Sequence, residues 1–239
     1  MLTTSATALV FDGLDDYVEI PDDLQFSLTT TGQLSVAAWI RPDVLNFPVF
    51  QSTGYVHWMG KGEAGQHEWV FRMYNQDTSD NPPRPNRISF YVFNSDGGEG
   101  IGSHFQEPVE VGQWIHVVGI ADRETTSIYK NGQFKDCDRY SGTGSGPCHN
   151  YPPDRWITPA HGTAPLRIGT RDLESFFLGA IREVRIWDRT LATAEVGALY
   201  SGLVPQDGLV ADYLLTQDIA VDSAGLHNGV IVGATWTAS

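Results

Sequence analysis

The amino-acid sequence predicts an all-β protein, an antiparallel β-sandwich of two sheets with one short helix. Most segments alternate apolar and polar residues, as strands with one buried face do. Clusters of Gly, Pro, Asn and Asp separate these segments. The chain has 239 residues, 41% of them hydrophobic, so it can bury a sizeable core within a single domain.

The first predicted strands are residues 8–11 and 17–20, which flank a turn with three aspartates. Residues 34–41 form the next, with Leu34, Val36, Ala38 and Ile40 on one face. Pro42 ends this strand because it cannot donate a backbone hydrogen bond. The later predicted strands are residues 55–59, 67–74, 87–94, 114–122, 125–131, 165–169, 179–187, 209–215 and 229–232.

One helix is predicted at about residues 193–200, where Ala, Glu and Leu are frequent and Gly202 can end it. Its apolar side would consist of Val196, Leu199 and Tyr200 and would cover an open end of the sandwich.

The chain carries 15 basic and 29 acidic residues, a formal charge of −14. Nucleic acid and anionic membrane surfaces are therefore poor partners for the whole surface, although a local basic patch could still bind an acidic polymer. No window approaches the roughly 20 apolar residues of a membrane span, so membrane insertion is not expected. No signal peptide follows Met1. We expect a module from a larger secreted protein, with a complete cytosolic protein as the alternative.

The two cysteines, Cys137 and Cys148, lie in one polar loop rich in Gly and Ser. A disulfide that closes this loop is the favoured interpretation, and it indicates an oxidising compartment. The spacing does not fit a zinc site, because no second cysteine pair or close histidine pair accompanies it.

Three segments together resemble one known family. Residues 8–20 read Ala-Leu-Val-Phe-Asp-Gly-Leu-Asp-Asp-Tyr-Val-Glu-Ile, and residues 112–134 contain Gly-Gln-Trp-Ile-His-Val-Val and a Tyr-Lys-Asn-Gly hairpin. Residues 177–200 contain Gly-Ala-Ile-Arg-Glu-Val-Arg-Ile-Trp-Asp-Arg-Thr-Leu before the helix. In order and spacing they resemble laminin G-like domains of the concanavalin A-like lectin and glucanase class. The resemblance covers most of residues 8–202 and implies a jelly-roll sandwich that handles sugars outside the cell.

The chain departs from that family at three places. Arg182 stands where family members often carry Asp, and Ala192 stands where they often carry a Ser helix cap, so we expect Thr193 to replace the cap. Residues 208–236 resemble strands that usually precede the opening motif. We expect this tail to add closing strands to one domain of residues 1–239. The alternative is that the tail begins the next repeat of an array.

The acidic turn predicts a structural calcium site. Asp12, Asp15 and Asp16 offer carboxylates, the Gly13 carbonyl can join them, and Glu183 is a weaker candidate. Further oxygen ligands are offered by Asp222, Ser223 and Asn228. The alternative is that these are ordinary turn residues that bond to the backbone.

A sugar site needs aromatic faces for stacking and polar side chains for the hydroxyls. The candidate ligand contacts lie on or beside the middle strands and are Tyr55, His57, Trp58, Trp69, Arg72, Tyr74, Arg87, Tyr91 and His104. Alternation places Trp69 and Phe71 on one face of their strand and Arg72 on the other, and it places His57 with Met59. The alternative is that most of these aromatic residues belong to the core.

No paired acids of a glycosidase are found on one strand. Lyases of related folds use Tyr, His and Arg, so a polysaccharide lyase would use His57 or His104 as base with Tyr91 and Arg72. The sequence therefore predicts a non-catalytic, calcium-stabilised module that binds a polysaccharide or glycan. The alternatives are the lyase and a structural or adhesive module that binds a protein.

Overall fold

Two sheets, one of nine strands and one of seven, face each other in a computed structural model of the chain. The structure describes residues 8–76, 84, 86–95, 100–215 and 219–237. Every pair of neighbouring strands is antiparallel within these ranges, except for one short parallel pair. The predicted all-β jelly-roll sandwich is confirmed.

The strands in chain order are β1 (Ala8–Asp12), β2 (Tyr17–Ile20), β3 (Leu34–Pro42), β4 (Tyr55–Lys61), β5 (Trp69–Tyr74), β6 (Arg87–Phe93), β7 (Gly100–Gln106), β8 (Ile115–Ala121), β9 (Thr125–Lys130), β10 (Gln133–Arg139), β11 (His149–Asn150), β12 (Leu166–Ile168), β13 (Leu178–Trp187), β14 (Leu209–Tyr213), β15 (Val230–Val232) and β16 (Thr235–Thr237). The helices are α1 (Leu28–Thr31) and α2 (Thr193–Tyr200).

The larger sheet, sheet A, has the order β11-β10-β9-β8-β3-β13-β1-β16, with β14 also paired to β13. The smaller sheet, sheet B, has the order β15-β2-β12-β4-β5-β6-β7. The core between them is filled by alternate residues of facing strands, such as Leu34, Val36 and Ile40 of β3 and Trp69 and Phe71 of β5. This apolar burial is the main stabilising contribution to the fold.

The helix α2 covers the outer face of sheet A. It buries Val196 and Leu199 against a second apolar cluster that includes Val118 and Trp187. Tyr200 stacks on the ring of Trp39, with 5.6 Å between the ring centroids. The outer face of sheet B, in contrast, carries a cavity.

The start of α2 differs from the expectation. Thr193 does not cap the helix, because Ala192 occupies the cap position and Thr193 is the first helical residue; its hydroxyl lies 3.1 Å from the Tyr129 hydroxyl. The Glu195 carboxylate instead accepts a hydrogen bond of 2.8 Å from the Ala192 backbone N–H. An acid in the first turn therefore supports the helix start where the cap side chain is apolar.

The tail contributes strands to both sheets. β14 pairs with β13 in sheet A, and β15 pairs with β2 in sheet B. β16 then returns to sheet A and pairs with β1, so that Thr237 lies opposite Ala8 and Trp236 lies opposite Leu9.

The Cys137–Cys148 disulfide is present, with 4.7 Å between the two Cα atoms. Cys137 lies within β10 and Cys148 just before β11, so the bond ties two neighbouring strands together. Neither helix in the described ranges is long and apolar enough to cross a bilayer.

Candidate functional site

Outward-facing side chains of four sheet B strands form a row across the open face. The strand register places His57 opposite Arg72, Arg72 opposite Ser89 and Ser89 opposite His104. Because side chains alternate along a strand, these four residues point to the same side of sheet B. The row therefore brings together three of the residues that the sequence proposed for a sugar site.

Arg72 occupies the centre of this row. Its guanidinium carbon lies 3.9 Å from the ring centroid of Tyr55 and 3.9 Å from that of Tyr91. Its Nε donates a hydrogen bond of 3.3 Å to the Ser89 hydroxyl. Two cation–π contacts thus hold the plane of the guanidinium group.

A cavity of about 600 Å³ opens beside Arg72, within the usual size range of small-molecule sites. Side chains from β4, β5 and several loops surround it. The lining residues are Gln51, Thr53, Tyr55, His57, Ala64, His67, Arg72, Arg84, Phe93, Arg171, Asp172 and Glu174.

A buried ion pair lies among the lining residues. Arg171 Nη2 and Nε donate to Asp172 Oδ2 at 2.6 and 3.2 Å, and the amide of Gln51 donates to the same oxygen at 3.1 Å. His57 Nδ1 lies 3.4 Å from Asp172 Oδ1. Burial lowers the pKa of His57 to about 4, so the imidazole is neutral at pH 7. Burial alone would raise the pKa of Asp172, but His57 and Arg171 outweigh it and hold that pKa below its usual range.

Two of the proposed ligand contacts lie in the core and are removed from the candidate set. Trp58 and Trp69 are fully buried between the sheets. Trp58 stacks on Phe71 with 4.5 Å between ring centroids, and Trp69 Nε1 donates to the Phe26 carbonyl at 2.9 Å. A bulge in β4 between His57 and Met59 breaks the alternation, which also turns Met59 into the core.

The other seven proposed contacts belong to the outer face of sheet B, but they differ in exposure. Tyr55 and Tyr74 are almost completely covered, and their rings meet edge to face. Tyr91, Arg87 and His104 are half-buried and remain open to a ligand. Arg87 donates two hydrogen bonds to the Gln106 side chain.

A cluster that the sequence analysis missed lies where β7 meets β10. It consists of His104, Asp136 and Asp138, whose ligand-type atoms lie within 4.8 Å of one another. The His104 backbone N–H donates to Asp136 Oδ2 at 3.0 Å. Burial raises the pKa of Asp138 to about 7, and the charge of Asp136 adds to this effect. The two aspartates were overlooked because the segment was interpreted as a cysteine loop and not as a strand.

The acidic turn brings its three aspartates together. One carboxylate oxygen each of Asp12, Asp15 and Asp16 lies within 4.8 Å of the others. Two of them also bond to the turn backbone: Asp16 accepts from the Asp12 N–H and Asp12 from the Leu14 N–H, both at 2.8 Å. Burial raises the pKa of Asp16. Cation binding and ordinary turn stabilisation are both compatible with this geometry.

The remaining proposed metal ligands lie elsewhere and have other partners. Leu178 of β13 pairs with Asp12 at the end of β1. Glu183 lies five residues further along β13, roughly 16 Å away. It accepts a hydrogen bond of 3.1 Å from Arg185. Asn228 Oδ1 accepts from the Asp222 N–H, and the Asp222 carboxylate accepts from the Ala224 N–H, both at 3.0 Å. Asp222 and Asn228 therefore stabilise their own turn.

The two-sheet jelly roll has one face covered by a helix and the other carrying a polar cavity, and this fold is that of a concanavalin A-like β-sandwich. The chain belongs to the concanavalin A-like lectin/glucanases superfamily, because a laminin G family model of that superfamily matches residues 11–197 of the chain. No curated protein matches the sequence.

Solved structures with low sequence identity share the fold. A Bacteroides ovatus protein, provisionally described as carbohydrate-binding, aligns with a TM-score of 0.64 at 17% identity, over 98% of this chain and 60% of that one. A heptameric SAP-like pentraxin from Limulus polyphemus aligns with a TM-score of 0.59 at 14% identity, over 100% and 98%. Domains LG4-5 of the mouse laminin α1 chain align with a TM-score of 0.50 at 13% identity, over 76% and 41%. The chain thus spans about three fifths of the Bacteroides protein.

Proposed function

We propose that this chain is a non-catalytic module that binds a polysaccharide or glycan on the outer face of sheet B. The observation that carries the proposal is the Arg72 guanidinium held between the rings of Tyr55 and Tyr91 at the mouth of a polar cavity. Such a site offers fixed hydrogen-bond donors for sugar hydroxyls beside aromatic surface. The similarity in fold to the Bacteroides ovatus protein, which is described as carbohydrate-binding, supports this class of ligand.

The proposal includes a setting outside the cell, in solution or at a cell surface, as one part of a larger protein. The disulfide supports it, because such bonds persist in oxidising compartments. The proposal also includes a structural Ca²⁺ at Asp12, Asp15 and Asp16, with the Gly13 carbonyl as a further ligand. Three converging carboxylates are ligands of the kind that Ca²⁺ takes.

A thermal melt tests both parts of the proposal. The chain is heated with each of a panel of soluble polysaccharides, in Ca²⁺ and in chelator. A bound ligand raises the melting temperature by mass action. We expect one polymer to raise it in the wild type and not in Tyr91→Ala, and Ca²⁺ to raise it in the wild type and not in Asp15→Asn. A panel without any shift would contradict sugar binding and favour a protein-binding module.

A lyase is the second candidate, because His104, Tyr91 and Arg72 share the open face. His57 is less suited as the base, since it is almost fully buried against Asp172. Ultraviolet absorbance of a newly formed double bond, measured during incubation with uronic-acid polymers, separates the two candidates. Turnover that His104→Ala abolishes would replace the binding-module proposal.

A further inference from the structure

We propose that the cavity on sheet B is selective for an acidic sugar, whose anionic group binds to Arg72 and Arg171. This inference rests on the proposed function and names the class of ligand. The shared chemistry is a planar or tetrahedral oxyanion on a saccharide, which a uronate carboxylate or a sulfate ester would supply.

The balance of charge at the cavity is opposite to that of the whole chain. The protein carries a net charge of −14, yet the described residues that line the cavity include three arginines and only two acids, Asp172 and Glu174. Of these acids, Asp172 is already bound by Arg171 and Gln51. A polyanion is repelled by most of this surface, so it would bind only at such a local positive site.

Arg72 is a cation without an anionic partner among the residues that the structure describes. Its contacts are the two tyrosine rings and the Ser89 hydroxyl, and no carboxylate of the described residues forms an ion pair with it. The rings fix the guanidinium plane, so little side-chain freedom is lost when an oxyanion binds to it. Half-buried at the cavity, the group can donate two parallel hydrogen bonds to one anionic group.

Arg171 supplies a second unused donor. Its side chain is almost completely buried, and Nε and Nη2 both donate to Asp172. Nη1 is buried and has no hydrogen-bond acceptor in the part of the chain that the structure describes. Buried donors are rarely left unpaired, and each such group calls for a physical explanation. An oxyanion in the cavity would provide the missing acceptor.

The titration of neighbouring histidines agrees with a positive potential on this face. The pKa of His104 is lowered by burial and then by the charges of Arg87, Arg84 and Arg72, against the opposing charge of Asp136. Burial also lowers the pKa of His57, and the charges of Arg171 and Arg72 lower it further. The arginines thus act together on groups at both ends of the row.

Binding to matched polymers tests this inference. Polygalacturonate is compared with the neutral galactan made by reducing its carboxyl groups, and dextran sulfate is compared with dextran, by titration calorimetry. The key variant is Arg72→Gln. Its control is Arg182→Gln, which removes the same charge from an arginine held between the rings of Trp39 and Trp114 on sheet A.

We expect one acidic polymer to bind at least tenfold more tightly than its neutral partner, and high salt to weaken this binding. Arg72→Gln should weaken it about tenfold or more, whereas Arg182→Gln should change it less than twofold. A preference for polygalacturonate assigns a carboxylate, and a preference for dextran sulfate assigns a sulfate.

Two results would overturn the inference while the proposed function stands. One is equal binding of acidic and neutral partners; the other is binding of the acidic polymer that Arg72→Gln and Arg182→Gln weaken equally. Absence of binding to these four polymers and to the whole polysaccharide panel would overturn the proposed function as well.

Discussion

At the scale of single residues, the least expected group is Asp138, a carboxyl that keeps its proton near neutral pH. Burial opposes its ionisation, and Asp136 on the same strand adds a second negative charge. Hydrogen bonds from Tyr151 and Ser103 offset only part of this. The residue is therefore a source of pH dependence in the stability of the fold.

The first prediction concerns the variant Asp138→Asn. Asp138 has a pKa of about 7 in the folded chain and 3.8 as its ordinary value, so the folded state binds the extra proton between these limits. The contribution of protonated Asp138 to the free energy of unfolding is thus present at low pH and is lost as the pH rises from about 4 to about 7. The neutral amide should abolish this loss. The free energy of unfolding in urea, measured from pH 5 to pH 8, should therefore decline more steeply in the wild type, and parallel curves would contradict the assignment.

The second prediction concerns Lys61, which is fully buried in β4. Its Nζ lies 2.6 Å from Glu68 Oε1 and 2.7 Å from Asp22 Oδ1, and donates to the Gly162 carbonyl at 2.7 Å. Lys61→Met would leave buried carboxylate without its cation, at a cost of about 3–5 kcal/mol in the free energy of unfolding.

The matched control for Lys61→Met is Lys130→Met, since Lys130 pairs at 2.9 Å with Glu107, whose side chain is 39% exposed. Exposed pairs contribute about 1 kcal/mol or less. Denaturant melts measure the loss of stability in both variants, and equal losses would contradict the expected difference between Lys61 and Lys130.

At the scale of elements, the sequence predicted strands well where one face is apolar and β-branched residues are frequent. Residues 34–41 and 87–94 were predicted, and β3 and β6 lie there. β7 was missed because Gly100, Gly102 and Ser103 weaken the strand pattern, and residues 135–139 of β10 were interpreted as part of a loop. β7 and β10 lie where the two sheets approach each other, and there a hydroxyl of β7 bonds to β9 and β10. Tertiary contacts replace intrinsic propensity at that junction.

The third prediction concerns the role of α2 as the cover of sheet A. Leu199 lies on the buried side of α2, whereas Leu203 just beyond the helix is 68% exposed. Leu199→Ala should cost about 2–4 kcal/mol and Leu203→Ala only a few tenths, because only the first leaves a cavity. Thermal melts measure the difference. Polysaccharide affinity should be unchanged in both variants, since α2 lies on the other sheet, and loss of binding in the folded Leu199→Ala protein would contradict this separation.

At the scale of the whole molecule, the candidate site was only partly predictable from sequence. Alternation correctly placed Arg72 on the face of β5 opposite to Trp69 and Phe71, because a strand has a fixed period of two. The bulge after His57 could not be read from residue types, so Met59 was placed on the same face as His57, whereas it lies in the core. Arg171 and Asp172 come from a loop more than 100 positions away from His57, and only the folded chain brings these residues together.

The fourth prediction concerns the tail. We propose that residues 208–236 are part of the same domain, because β14, β15 and β16 pair with β13, β2 and β1. A chain that ends at residue 207 would expose unpaired strand edges in both sheets and should unfold at a much lower temperature or aggregate. A chain that ends at residue 237 is the control. A fully folded, equally stable chain of 207 residues would contradict the single-domain proposal.

The pairing of Ala8 with Thr237 has a practical consequence for how this protein can be handled. The two outermost described residues are neighbours in sheet A, so anything joined to either one is attached at nearly the same spot. That spot belongs to the sheet without the cavity. A label, a bead or a fused domain linked through either of these residues would therefore be attached at sheet A and leave the outer face of sheet B accessible. Joining Ala8 and Thr237 with a short linker and cutting the chain at a surface loop should give a circular permutant with the same outer face of sheet B.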